Sequence, residues 1–253
     1  MNFDQLDKAM RVFETRNDTF VLPGLYMVAR IDGRAFSHLT RDVHAFDAPY
    51  DERFRDYMVG TVEHLMDCGF RVVYGYTQSD EISLLFHLEE NTFGRKIRKF
   101  NSVLAGEASA KFSVLLGSVA AFDCRISQLP SSEHVVDYFR WRAEDAHRNA
   151  LNAHCYWALR DKGQSATSAN GQLIGMSVSK KNDFLFEQAG INFNELPDWQ
   201  KRGVGVYKVA VEVDGKNPLT NESVSSLRMR NKVDMNLPMK DAYAVFIREL
   251  IGV

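Results

Sequence analysis

Residues 74–86, YGYTQSDEISLLF, constrain the fold more than any other part of the chain. Two runs of strand formers flank a polar corner at 77–80, so the segment reads as a hairpin with strands over 71–76 and 81–88. The corner sets Asp80 and Glu81 side by side at the mouth of an otherwise apolar strand. Adjacent carboxylates repel, and their burial is costly unless a cation or hydrogen bonds compensate. Helical periodicity lies on both sides. Over 52–69, Phe54, Met58, Val62, Leu65 and Met66 share one face, with Gly69 as a stop, and 95–116 reads as a long helix with a basic start. Strands are expected over 25–32 and 118–126. Strand, helix, strand, strand, helix, strand is the ferredoxin-like (βαββαβ) order of an α+β fold. In that order the first and third strands pair antiparallel, so Asp32, ending the first, should meet Asp80 and Glu81, opening the third.

Residues 1–130 would hold this core, and 131–253 would pack on it as an extension of helices and strands. A helix is expected over 3–15 and a long one over 135–162. Residues 163–172, GQSATSANGQ, read as a polar loop. A short helix over 179–190 would be capped by Ser179 and closed by Gly190. Residues 206–214 alternate like an edge strand, and nothing is assigned beyond 215. Net charge is −2, so any nucleic-acid contact must use local patches or an assembled surface. Cys68, Cys124 and Cys155 are widely spaced, with no disulfide framework and no paired metal-binding spacing. The opening residues lack a secretory pattern, and no apolar run nears the roughly 18 residues of a membrane span. A cytoplasmic protein with no membrane partner is expected.

Asp32 and Asp80 supply the hard oxygens that Mg2+ prefers, with substrate phosphates and waters completing the shell. Gly33 allows close backbone approach and offers a carbonyl. The turn 32–37, DGRAFS, could cradle phosphates with its N–H groups. The plainer alternatives are an ordinary Asp-Gly turn and a solvated acidic pair.

RIDGRAF (30–36) followed by QSDEISLLF (78–86) resembles the tRNA(His) guanylyltransferase family, including its Thg1-like proteins. FDCRISQLPSSEHVVDYFRWRAEDAHRNALNAHCYWAL (122–159) and KKNDFLFEQAGINFNELPDWQKRG (180–203) continue the likeness. The resemblance implies a palm core of the polymerase type. It implies addition of nucleotides to the tRNA 5′ end in the 3′-to-5′ direction. ATP, or GTP, first activates the 5′ end, and the 3′-hydroxyl of an incoming GTP or other templated nucleotide then attacks it. Two Mg2+ ions, GTP and ATP as substrates, tRNA as partner and a homotetramer are implied with it. Asp32, Gly33 and Asp80 match the metal site, and Glu81 the adjacent acid, so Asp32, Asp80 and Glu81 are the expected catalytic set. Asp32, Gly33, Arg34, Ala35, Phe36, Ser37, Ser79 and Asp80 match nucleotide-contacting segments, and Arg95 and Lys99 match basic groups on the triphosphate. His147, Asn149, Lys181 and Asn192 match positions for tRNA. By the residues alone, His147 reads as a packed helix residue, Asn192 as turn chemistry, and Trp141, Tyr156 and Trp157 as core.

Two departures stand out. Ser37 takes the place of a histidine that eukaryotic members carry, and the family's HINN reads HRNA at 147–150. Both resemble the bacterial and archaeal branch, whose members repair 5′-truncated tRNAs. The main rival is a nucleotidyl or diguanylate cyclase, which shares a palm-like core, although the GG[D/E]EF hairpin is absent. A non-catalytic RNA-binding module of the same topology is the other.

Overall fold

The computed structural model describes residues 1–216 and 223–253. Its strands are β1 (Tyr26–Gly33), β2 (Val72–Gln78), β3 (Glu81–Phe86), β4 (Phe122–Leu129), β5 (Val204–Lys216) and β6 (Ser223–Asp234). They form one sheet in the order β4–β1–β3–β2–β5–β6, with every neighbouring pair antiparallel. The α-helices are α1 (Phe3–Thr15), α2 (Phe36–His38), α3 (Glu52–Leu65), α4 (Ile97–Leu116), α5 (Ser132–Asp161), α6 (Ala166–Leu173), α7 (Val178–Ala189), α8 (Asp198–Arg202) and α9 (Lys240–Ile251). Within the first four strands β1 and β3 are adjacent, with Asp32 opposite Glu81.

Local chemistry sets the boundaries. Asp51 caps α3 by accepting from the N–H groups of Arg53 and Phe54. That helix stops at Leu65, before the Gly69 expected to end it, and Gly69 (φ +96°) turns the chain toward β2. Helix α4 begins at Ile97 rather than 95, because Phe93, Gly94 and Arg95 all have positive φ, which a right-handed helix cannot contain. The polar stretch 163–172 is not a loop. Ser165 accepts from the Ser168 N–H, and Ala169 and Leu173, one turn apart, bury that side of α6. Helix α7 takes Ser177 as its cap, two residues before the expected Ser179, and Gly190 closes it at φ +66°. Strand β5 is not an edge strand: it lies between β2 and β6.

Both sheet faces are covered. On one, Met27, Ala29 and Ile31 meet α3 and α4 around Phe36, Phe112 and Phe122. On the other, Val28, Tyr74 and Leu85 meet Val135 and Phe139 of α5 and Tyr243 and Ile247 of α9. The face opposite α3 and α4 is therefore covered by α5 and α9 over part of its length. A third apolar cluster joins α5, α6 and α7 through Leu151, Leu159, Leu173 and Leu185. Among the described residues, no helix is long and apolar enough to cross a membrane.

Candidate active site

Strand residues alternate between faces, and on the α5 side the sheet changes character along its length. Val28 and Leu85 are apolar, Arg30 and Ser83 follow, and Asp32 and Glu81 end the pair. Helix α5 changes in parallel, from Val135, Tyr138 and Phe139 to Arg142, Asp145 and Asn149. Packing the apolar ends together brings the charged ends together. The hairpin loop between β2 and β3 is only Ser79–Asp80, since Gln78 already pairs with Glu81. Ser79 adopts φ +53°, and the Asp80 carbonyl accepts from the Gly33 N–H at 2.9 Å. That bond ties the two acidic turns together. A side chain at Gly33 would place its Cβ 2.5 Å from the Phe36 ring, so glycine is required for close approach here.

The cations that compensate the carboxylates are arginines. Asp32 accepts from Arg30 at 3.1 Å through one oxygen and from Arg125 at 2.7 Å through the other. Arg30 also pairs with Glu81. Arg142, buried on α5, donates to both Glu81 oxygens at 3.0 and 3.1 Å and to Asp145 at 3.0 Å, with its guanidinium 3.8 Å from the Trp141 ring centre. Burial pushes the Glu81 carboxyl upward, and Arg142 and Arg30 oppose that push. Asp80 differs. Its one side-chain partner among the described residues is the Ser79 hydroxyl at 3.2 Å, and burial, with the Asp32 charge added, raises its pKa.

Beside the carboxylates a cavity of about 330 Å³ includes Asp32, Asp80, Glu81, Tyr76 and Arg142 in its wall. It adjoins a cleft of about 500 Å³ walled by Ser37, Tyr50, Trp157 and Trp199. Tyr50, Gln78, Ser79 and Asn149 line both. Tyr156 packs on the α5–α6–α7 cluster as expected of a core residue and also borders this cleft, whereas Trp157 faces the cleft and Trp141 is 54% exposed, so the reading of those two as core residues is corrected.

The expected site residues divide by position. Asp32, Gly33, Ser79, Asp80 and Glu81 converge. Arg34 is exposed, and its N–H is taken by the Ala121 carbonyl at 2.8 Å. The Phe36 ring is core, so only its backbone can reach a ligand. With the Gly33 and Arg34 N–H groups in use, Ala35, Phe36 and Ser37 are the turn's remaining donors. Asn149 bonds Asp145 at 3.2 Å and lines the cleft. His147 sits on another face of α5, edge-on to Phe193; burial, aided by Lys201, Arg202 and Lys240, lowers its pKa. Lys181 donates to Asn152 at 2.7 Å. Asn192 caps a short turn, accepting from the Asn194 N–H.

Arg95 is corrected, and Lys99 lies beside it. The Arg95 guanidinium donates to the carbonyls of Val21, Leu25, Leu88 and Glu90. Leu25 precedes β1 and Leu88 follows β3, so this knot lies at the far end of the sheet, roughly 23 Å from Asp32 at strand spacing. Lys99, in the first turn of α4 and exposed, extends over Phe93 at that same end. A basic helix start looks like an anion site in sequence, but the antiparallel path of α4 carries it away. Arg95→Met should therefore destabilise the fold by about 3 kcal/mol, through lost charged hydrogen bonds, and leave KM for GTP unchanged. Urea unfolding and a GTP titration read the two effects. Arg30, Arg125, Arg142 and Asp145 escaped the sequence reading. Their signal was periodicity: Arg30 is one strand repeat from Asp32, and Arg142 and Asp145 are one helix turn apart.

Comparison with known proteins identifies the family. A family model described as tRNAHis guanylyltransferase (Thg1) matches residues 7–130, and one described as the Thg1 C-terminal domain matches 133–245. The tRNA(His) guanylyltransferase of Debaryomyces hansenii is 30% identical over 240 residues, covering 89% of this chain and 89% of that protein. The human probable tRNA(His) guanylyltransferase is 32% identical, covering 81% of this chain and 71% of its own. The solved structure of a bacterial tRNA(His) guanylyltransferase (Thg1)-like protein in complex with ATP superposes with TM-score 0.77 at 26% identity, over 98% of this chain and 99% of that one. A structure of such a bacterial protein in complex with GTP gives 0.73 at 25% identity, over 99% of this chain and 100% of that one. Matched along both halves, the chain belongs to the tRNA(His) guanylyltransferase (Thg1) family.

Proposed function

We propose that this chain is a tRNA 5′-end nucleotidyltransferase, working in the 3′-to-5′ direction on a 5′ end activated by ATP or GTP. The observation that carries the reading is the meeting of Asp32, Asp80 and Glu81 beside the aromatic-walled cleft, in a chain of this family. Residues 1–130 form its ferredoxin-like palm, and 131–253 complete the site with α5.

Asp32, Asp80 and the Gly33 carbonyl fit Mg2+. The donors are hard oxygens, and Asp80 is a half-buried carboxyl with no cation against it among the described residues. Bound there as a pair, Mg2+ ions would supply charge neutralisation for the attacking and departing oxygens of phosphoryl transfer. The chain's own residues do the positioning. Arg30 spans Asp32 and Glu81, Arg142 fixes Glu81, and Gly33 locks the two turns. Tyr50, Trp157 and Trp199 provide flat apolar surface for a base. Asn149 and Lys181 lie on the approach of the tRNA end, while His147 and Asn192 form a separate contact region. The chain works as a cytoplasmic homotetramer. Supporting self-association, Phe3, Leu6, Met10 and Phe13 form an exposed stripe on α1, which has no buried residue.

The test is labelled-GTP incorporation into two 5′-monophosphorylated tRNAs, with ATP and Mg2+: full-length tRNA(His), and another tRNA lacking its first nucleotide opposite a C. Metal-dependent incorporation is expected, favouring the truncated tRNA because HINN is broken to HRNA. Equal rates on matched and mismatched templates would remove the templated reading. A cyclic product from GTP alone, with no incorporation, would replace it with the cyclase.

A further inference from the structure

The register sets like charges opposite each other: Arg30 faces Arg125, and Asp32 faces Asp123. Directly opposed like charges are unfavourable in a sheet, and diagonal neighbours remain within reach of long side chains. The diagonal Arg125–Asp32 pair resolves this conflict. The three arginines around the carboxylates are held very differently. The Arg142 side chain is 5% exposed and grips two carboxylates, and Arg30 is clamped between Asp32 and Glu81. The Arg125 side chain is 57% exposed and, among the described residues, makes a single hydrogen bond, to Asp32. Asp123 is exposed and solvated.

We propose that Arg125 is an exchangeable counter-ion of the metal site. In the metal-free enzyme it occupies the Asp32 oxygen that a divalent cation needs. When the cation and a nucleoside triphosphate bind, it turns from Asp32 to a triphosphate oxygen. Its exposure lets it move, and its tether to β4 keeps it beside the cation's other ligands. Arg125 thus acts twice with opposite sign: it competes with the bare cation and assists the cation–triphosphate complex. This rests on the metal reading given above.

The experiment measures Mn2+ binding without nucleotide, by the electron paramagnetic resonance signal of free Mn2+, and then GTP affinity at saturating Mn2+. The proteins are wild type, Arg125→Gln, Arg125→Lys and Asp32→Asn, with thermal unfolding as a check on folding. Arg125→Gln should tighten nucleotide-free Mn2+ binding about fivefold, the upper scale for a lost exposed ion pair, and weaken GTP about tenfold, as a lost charge-assisted phosphate bond does. Arg125→Lys should restore part of both. Unchanged or weaker Mn2+ binding in Arg125→Gln, or unchanged GTP affinity, would overturn the exchange. Asp32→Asn tests the underlying reading separately: if it still binds Mn2+ like wild type, the metal assignment itself has failed.

Discussion

Asp80→Asn is expected to reduce nucleotide addition about a thousandfold or more, roughly 4 kcal/mol of lost transition-state stabilisation, and to raise the melting temperature of the metal-free protein. Two effects of opposite sign come from one residue because Asp80 alone among the converging carboxylates has no guanidinium against it. Burial first, then the Asp32 charge, raises its pKa. A carboxyl whose folded pKa lies above its unfolded value weakens the fold at any pH above the unfolded value. The stabilisation by asparagine should be present at pH 7, fade as pH falls through the raised folded pKa, and be gone below about 4, where both states are protonated. Melting curves in a chelating buffer at several pH values, beside a labelled-GTP assay, measure both. Full activity would remove Asp80 from the site, and a lower melting temperature at pH 7 would remove the desolvation argument. Asp32→Ala should abolish activity equally with little effect on folding, because Arg30 retains Glu81 and only exposed Arg125 loses its partner.

Arg142→Ala should cost about 3–5 kcal/mol of stability, the scale for removing one partner of a buried ion pair. Arg142 is 6% exposed, and its loss strands Glu81 and Asp145 together under α5. Lysine should recover only part, since it carries the charge without the fork that holds both Glu81 oxygens. The deficit should shrink as pH falls toward 4, because burial already raises the Glu81 carboxyl and the loss of Arg142 removes the cation that opposes it, so Glu81 becomes neutral in the folded chain. Urea unfolding at pH 7.5 and pH 4 tests this. An equal deficit at both pH values would mean that packing on Trp141, not charge, is what the residue contributes.

Much of the site was legible because it is local. Asp32–Gly33 and Ser79–Glu81 each sit at the end of a strand whose alternation is plain, and a β1–β3 pairing follows from element order. The hairpin's two acids also announced themselves by cost, since such a pair needs compensation. Arg95 misled for the opposite reason. A basic cluster at a helix start carries no information about which end of the sheet the helix starts from, and here four carbonyls consume the guanidinium. Helix α6 was hidden because its polar composition outweighed two apolar residues, Ala169 and Leu173, that matter only once α5 is beside them.

Periodicity, strand ends and turn residues are nearest-neighbour properties, and they suffice for the strand–helix order, the acidic turns and the family likeness. Which cations answer those acids was decided by tertiary structure alone. Arg30, Arg125 and Arg142 come from β1, β4 and α5, and they meet the carboxylates only because the apolar halves of sheet and helix pack first and fix the register of the charged halves.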